Sequence, residues 1–310
     1  MAISAKDVKR LRDMTGAGML DCKKALEAVD GNFDAAVDDL RKKGIAKAAK
    51  RSGRVAADGT VATLVNEEAT VGVMAEVNCE TDFVARGDDF NNFVASLLNH
   101  VQANPVGNME ALLAQTLDDQ GTVQDAVTAM VAKTGENMGV RRFARWERSN
   151  PGVIKTYIHM GGKIGVMAEI SCGKQETVAK PEFDALTLDV CLQIAAMNPL
   201  AVSENELPAD VVEREMNIYK EQAAESGKPE NIAEKISQGK LNKWFKEVVL
   251  NKQEFFKDAE QHRTIEKYLQ DAGKELDDTI AVARFSRFQL GEGIEKKEDD
   301  LAAEVAEMIK

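Results

Sequence analysis

The most informative pattern along the chain is an alternation of apolar and polar residues that occurs twice. Gly72-Val-Met-Ala-Glu76 recurs 93 residues later as Gly165-Val-Met-Ala-Glu169. Around both segments the apolar residues fall at every second position, which is the period of a β-strand. Each copy therefore predicts a β-hairpin, and the second carries the Gly161-Gly162 pair that is typical of a hairpin turn.

Apolar residues at helical spacing follow each hairpin. In the first copy they are Phe90, Phe93, Val94, Leu97, Leu98 and Val101, and in the second Phe183, Leu186, Thr187, Val190, Cys191 and Ile194. Both sets predict an amphipathic helix. A later strand over 140–146 matches 282–288, now at an offset of 142 residues. The pattern predicts an α+β fold with a duplicated core, in which each half is a three-stranded antiparallel sheet with helices packed on one face.

The change of offset from 93 to 142 means that the second copy carries an insertion, roughly between Leu207 and Asp258. Two apolar stripes within it predict a helical hairpin with its turn at Gly227-Lys-Pro229. The stripes are Val212, Met216, Tyr219 and Ala223, and then Ile232, Ile236, Leu241 and Phe245. Either the two stripes only bury each other, or the exposed remainder serves dimerisation or another partner.

Residues 4–44 carry a three-helix pattern. Ser4 and Asn32 are suitable N-caps for the first and third helices, Thr15-Gly-Ala-Gly18 separates the first from the second, and Gly44 is expected to end the third. The pattern resembles the ubiquitin-associated (UBA) domain family, which implies a surface that docks protein partners. Met19 and Leu20 belong either to such a docking surface or to the packing of the module itself.

These patterns divide the chain into five parts. They are a UBA-like helical domain with a basic linker over 1–54, a first core half over 55–148, a second core half over 149–207 and 257–290, the hairpin insert over 208–256, and a C-terminal module over 291–310. The last part predicts a C-terminal helix with one apolar stripe, Leu301, Val305 and Met308. That stripe packs either on the chain's own core or on a partner.

Composition narrows the classes of function. The net charge of −12 argues against broad nucleic-acid binding, although the basic stretch from Lys42 to Arg54 is either an RNA contact or a solvated helix end and linker. No apolar window suggests a membrane span, and the charged N-terminus lacks the features of a signal or transit peptide, so a cytoplasmic location is expected. The four scattered cysteines and three histidines indicate reduced thiols and no metal site or cofactor.

The two copies differ most clearly between the hairpin and the following helix. The first reads Glu80-Thr-Asp-Phe-Val-Ala-Arg86, whereas the second reads Gly173-Lys-Gln-Glu-Thr-Val-Ala-Lys180 and has no aromatic residue. Thr81 or Asp82 suits a helix N-cap, which places Phe83 in the first turn. Phe83 is then either a group that inserts into a partner's pocket or a buried ring behind a cap.

Four segments, in order along the chain, resemble the bacterial elongation factor Ts family: Thr15 to Lys24, Thr81 to Arg86, Asn137 to Arg142 and Gly291 to Lys296. The resemblance implies a guanine-nucleotide exchange factor without catalytic chemistry, which binds GDP-bound elongation factor Tu, displaces Mg²⁺ and promotes GDP release so that GTP can bind. It assigns Mg²⁺ displacement to Thr81, Asp82, Phe83 and Val84, and partner contacts to Arg12, Met19, Leu20, Lys23 and His159. It leaves a homodimer or a 2:2 assembly open.

Two other classes of function compete with an exchange factor. An enzyme is disfavoured because the sequence has no GxxxxGK[ST] phosphate loop, no nucleophile elbow and no cluster of histidines and carboxylates. A general adaptor could use the UBA-like module alone, but the duplicated core and the asymmetric Thr-Asp-Phe segment do not fit a simple tether.

Overall fold

A computed structural model describes residues 3–118, 121–148, 150–225 and 229–295. The predicted C-terminal helix lies outside these residues. The chain divides into two compact units, each of which is described by itself. One comprises the described residues within 1–62, 75–143 and 289–295, and the other those within 63–74 and 144–288.

The three predicted N-terminal helices are present in the first unit as α1 (Ala5–Thr15), α2 (Met19–Ala28) and α3 (Phe33–Arg51). Ser4 caps α1 in a reciprocal capping box with Asp7, and the Asn32 side chain accepts a hydrogen bond from the Ala35 N–H to cap α3. Both predicted caps are confirmed. The apolar core between the helices is small and consists of Val8, Leu11, Cys22, Ala25, Leu26 and Ala36.

The expected end of α3 at Gly44 is wrong. The helix continues to Arg51, so most of the predicted basic linker is helical. Gly44 is buried, and a Cβ built on it would lie 3.4 Å from Cβ of Ala132 in helix α7 (Val123–Thr134). A small residue at position 44 therefore permits close packing between α3 and α7, and this tertiary contact overrides glycine's weak helix propensity.

The remaining elements confirm the α+β class. After α3 come β1 (Asp58–Val65), β2 (Val71–Cys79), α4 (Asp82–Ala85), α5 (Asp88–Ala103), α6 (Met109–Ala114), β3 (Thr116–Asp118), β4 (Gly121–Thr122), α7 and β5 (Met138–Glu147). They are followed by β6 (Gly152–His159), β7 (Ile164–Cys172), α8 (Pro181–Met197), α9 (Ala209–Glu225), α10 (Glu230–Val248), α11 (Ile265–Leu276) and β8 (Ile280–Gln289). The three-stranded sheets have the orders β1-β2-β5 and β6-β7-β8.

Each of these sheets requires a glycine at the start of its first strand. Gly59 and Gly152 have φ angles of +126° and +142°. A Cβ at Gly59 would lie 2.1 Å from the Val77 carbonyl oxygen, and one at Gly152 would lie 2.2 Å from that of Ile170. Any larger residue would collide with the neighbouring backbone, so glycine permits the close approach of the first two strands.

In the second unit, α8 and α11 contribute to a large apolar core against β7 and β8, with the fully buried Phe183, Leu186, Val190 and Ile194 among its members. The helices α9 and α10 lie in the stretch predicted to be a helical hairpin and pack against each other, with Ala223 and Leu241 buried. Among the helices that the structure describes, none is both long and apolar enough to cross a membrane.

Candidate partner-binding site

The corner between β2 and α5 is built around Thr81. Its hydroxyl accepts a hydrogen bond from the Val84 N–H at 3.4 Å, which makes Thr81 the N-cap of the short helix α4. The Arg86 N–H donates to the Asp82 carbonyl at 3.0 Å, and the Gly87 N–H donates to the Val84 carbonyl at 3.0 Å. These bonds place the whole segment from Thr81 to Val84 in one turn of ordered backbone.

Phe83 lies at the outside of this turn and is 85% exposed. It is the most exposed of the large apolar side chains that the structure describes. An isolated exposed apolar residue is ordinary, but a phenyl ring held on a hydrogen-bonded turn presents a large apolar area and loses few rotamers on binding. Of the two interpretations that the sequence left open, the buried ring is therefore wrong.

The Glu136 carboxylate hydrogen-bonds to the backbone of this corner. Glu136 lies just after α7 and accepts hydrogen bonds from the Glu80 N–H at 3.2 Å, the Thr81 N–H at 3.0 Å and the Thr81 hydroxyl at 2.6 Å. The Cys79 thiol adds a bond to the Thr81 carbonyl at 3.2 Å. Glu136 is not among the site residues predicted from the sequence. A signal was available, because the offset of 142 residues in the sequence pattern aligns this acid with Asp278.

The equivalent corner of the second unit is built on Asp278. Its carboxylate accepts from the Gly173 N–H at 2.8 Å, the Lys174 N–H at 3.1 Å and the Thr177 hydroxyl at 2.6 Å. Alignment on the shared Val-Ala pair places Thr177 opposite Phe83, yet Thr177 is completely buried. Thus backbone N–H groups before the turn bond a carboxylate in both corners, but the hydroxyl donor differs. It is Thr177 itself in the second corner, whereas in the first it is Thr81, two residues before Phe83, and the aromatic side chain stays outside.

Asp82 forms an ion pair with Arg86, with 2.9 Å between its carboxylate oxygen and the guanidinium nitrogen. Both side chains are well exposed, and such surface pairs contribute little to stability. Asp82 is therefore available to another molecule at little cost, beside the Phe83 ring.

Four other predicted site residues surround the junction of α1 and α2: Arg12, Met19, Leu20 and Lys23. All four are exposed. The junction is ordered because Gly16 adopts a left-handed conformation, with φ of +65°, and donates its N–H to the Arg12 carbonyl. The Cys22 thiol fastens the same loop by donating to the Ala17 carbonyl. Leu20 is 63% exposed, so its side chain is free to contact a partner.

His159 ends strand β6 at the tip of a hairpin in the second unit, where it is exposed beside Met160. Its Nδ1 lies 2.9 Å from the Tyr157 hydroxyl, which orients the imidazole ring. The structure thus brings Thr81 to Val84 together on one corner and the four N-terminal residues on one junction. His159 occupies a separate hairpin tip.

Two of the segments that carry the sequence resemblance meet at Glu76, a fully buried carboxylate in β2. It accepts from Arg141 at 2.9 Å, Arg142 at 2.6 Å and the Gly291 N–H at 2.8 Å. Burial alone would raise the pKa of Glu76, but the bonds from Gly291 and the two arginines outweigh it and lower the pKa below its usual value. This cluster attaches the beginning of the C-terminal segment to the first sheet.

The four cysteines are buried and unpaired. Burial raises the pKa of Cys79 to about 12, so the group beside the Thr81 corner is a thiol at neutral pH. We expect a thiol reagent at pH 8 to react slowly with the native chain and with all four thiols after denaturation. Absorbance of the released chromophore measures this difference, and rapid reaction of any thiol in the native chain would contradict the observed burial.

Comparison of the sequence with known proteins points to one family. The family model described as Elongation factor TS matches residues 80–292. Elongation factor Ts of Clostridium botulinum (strain Eklund 17B / Type B) is 46% identical over 307 residues, which cover 99% of each chain. Those of Clostridium perfringens (strain SM101 / Type A) and of a Nitratiruptor species are 47% and 44% identical; the first alignment covers 99% of each chain and the second covers 100%.

A translation elongation factor is thus the class that the matches define. The chain belongs to the elongation factor Ts family.

Proposed function

We propose that this chain binds GDP-bound elongation factor Tu and acts as its guanine-nucleotide exchange factor, with no bond-making chemistry of its own. The observation that carries the proposal is the exposed Phe83 ring on a hydrogen-bonded corner, 85% accessible beside Asp82. In this proposal Thr81 to Val84 enter the GTPase near its Mg²⁺ ion, and the ring acts as a wedge. Loss of Mg²⁺ then weakens the hold on GDP and allows GTP to bind.

The other predicted contacts supply the binding energy. Arg12, Met19, Leu20 and Lys23 would dock the N-terminal module on the nucleotide domain, and His159 would reach a further domain of the partner. A broad interface is needed because each tenfold loss of GDP affinity requires about 1.4 kcal/mol of binding energy. Since this coupling is reciprocal, GDP must weaken the binding of the chain by the same factor.

The finer organisation belongs to the same proposal. It comprises a UBA-like domain over 1–54, core halves over 55–148 and over 149–207 with 257–290, an insert over 208–256 and a C-terminal module over 291–310. The two halves would derive from a duplication, and the chain would act in the cytoplasm, as a monomer or through a homodimer or 2:2 complex. Among the residues that the structure describes, no group of three or more His, Cys, Asp or Glu is arranged to hold a metal ion.

A stopped-flow assay tests the exchange proposal. Elongation factor Tu is loaded with a fluorescent GDP analogue and mixed with excess GDP and increasing amounts of the purified chain. We expect the release rate to rise with chain concentration and to saturate, because release then occurs from a bound complex. Binding without faster release would indicate an adaptor, and chemical turnover of a nucleotide by the chain alone would indicate an enzyme.

Removal of Mg²⁺ by a chelator tests whether the chain acts by displacing that ion. If the chain acts mainly by displacing Mg²⁺, its fold-acceleration of GDP release must shrink when EDTA has already removed the ion, because both treatments weaken the same contact. The measurement is the ratio of release rates with and without the chain, at fixed ionic strength. An unchanged ratio in EDTA would exclude Mg²⁺ displacement as the main route.

A further inference from the structure

We propose that Glu136 is a positioning residue for the exchange corner, which it fixes in the conformation that presents Phe83. The inference rests on the proposed exchange function and assigns a specific part of it to a residue that does not itself contact the partner. Three donors converge on the Glu136 carboxylate: the N–H groups of Glu80 and Thr81 and the hydroxyl of Thr81. A carboxylate can accept all three at once, and charged acceptors make stronger bonds than neutral ones.

A carboxylate of the corner, in turn, accepts a hydrogen bond from the segment that contains Glu136. The Asn137 N–H donates to the Glu80 carboxylate at 2.5 Å, and the Asn137 side chain donates to the Arg54 carbonyl at 2.7 Å. Arg54 in turn lies 3.3 Å from the Glu80 carboxylate. Each of the two neighbouring chain segments therefore supplies a carboxylate that binds the backbone of the other, so the segments cannot separate without breaking several bonds together.

The corner of the second unit shows, by comparison, what the bonds to Glu136 contribute at the first corner. Asp278 makes three comparable bonds, but its third donor is Thr177, which occupies the position of Phe83 and is buried. At the first corner the hydroxyl donor is Thr81, two residues before Phe83. All three donors to the Glu136 carboxylate therefore come from positions 80 and 81. The side chain at position 83 is not needed as a donor and lies in solvent.

This arrangement prepares the ring for binding. If the bonds to Glu136 were absent, two N–H groups would lose their partners and the turn would sample other conformations, in which the ring points elsewhere. A partner would then have to order the corner at the moment of exchange, and that cost lowers the effective strength of the wedge. Contacts elsewhere in the interface would be unaffected, because Arg12, Met19, Leu20 and Lys23 lie on a different part of the unit.

The test combines Glu136→Ala with Phe83→Ala in a double-mutant cycle, measured by GDP release from elongation factor Tu. We expect Glu136→Ala to lower the maximal release rate about tenfold while the half-saturating concentration changes less than about twofold. The double variant should be no slower than Phe83→Ala alone, because Glu136 acts through the ring. Additive losses in the double variant would overturn the proposal.

Two further variants separate positioning from general stability. Asp278→Ala removes the matched carboxylate of the second corner and should leave the maximal release rate within about twofold of wild type. Glu136→Gln, which retains one acceptor oxygen, should restore part of the rate, and its own cycle with Phe83→Ala decides the question if Glu136→Ala does not fold. Equal losses of rate in Asp278→Ala and Glu136→Ala would show a structural role only.

The proposal and the exchange function fail in distinguishable ways. If wild type does not accelerate GDP release, the proposed function fails. If wild type accelerates release and Glu136→Ala does so equally well at saturation, only the positioning role is refuted. Amide exchange at Glu80, Thr81 and Val84 gives an independent readout without any partner, because these N–H groups should exchange faster in Glu136→Ala than in wild type.

Discussion

Replacing Phe83 with alanine is expected to lower the maximal rate of GDP release from elongation factor Tu about 30-fold, since truncation of an aromatic hot spot costs about 2 kcal/mol or more. The free energy of unfolding should change by less than about 0.5 kcal/mol, because the ring is 85% exposed and supports little of the fold. Most of the binding affinity should remain, since the other proposed contacts lie elsewhere on the chain. Stopped-flow release at saturating chain and urea denaturation of the free chain measure the two quantities.

A matched control is available in Leu200→Ala, which also removes an exposed apolar side chain, 58% accessible, from a part of the chain with no proposed contact. This variant should release GDP at the wild-type rate. Wild-type release by Phe83→Ala would refute the wedge, whereas loss of release in both variants would point to a general effect of removing apolar surface.

The second large effect concerns stability. Glu76→Gln should lower the free energy of unfolding by about 3 kcal/mol at pH 7, because a neutral amide at this buried position then faces the partly buried donors of Arg141, Arg142 and Gly291. Glu169→Gln is the matched variant in the second unit, where the Arg284 side chain bonds a carboxylate that is itself largely buried. It should cost about 1.5 kcal/mol, which is the lower end of the range for a bond to a charged group. Denaturation in urea at constant ionic strength compares the two.

The effect of Glu76→Gln should depend on pH in a defined direction. The pKa of Glu76 is lowered in the folded chain, so its ionised form stabilises the fold fully above the pKa of the unfolded state. That contribution is lost as the pH falls through the folded-state pKa. The stability difference between wild type and variant should therefore be constant near neutrality and shrink in acid. A difference that grew as the pH fell into the acid range would contradict the assigned bonds.

Local sequence patterns predicted most elements of the fold, for reasons that act over short distances. Alternating residues predicted β1, β2, β6 and β7, and helical spacing predicted α5 and α8, because one face of each element must be apolar. Ser4 and Asn32 were recognisable caps, since a cap bonds a backbone group only three residues away. Gly44 shows the limit of this reasoning: its packing on Ala132, which is remote in sequence, allows α3 to continue to Arg51.

The candidate site was likewise predicted in part from local sequence and decided in part by the tertiary structure. Neighbouring residues were enough to predict that Thr81 caps a turn and that Phe83 follows it, because capping depends on groups close together along the chain. They left open whether the ring is buried or exposed. The folded chain answers that question through Glu136, which lies 55 residues from Thr81 in sequence and accepts a hydrogen bond from the Thr81 hydroxyl. Burial and long-range hydrogen bonds arise when distant segments meet, and no local pattern of residues specifies which segments those are.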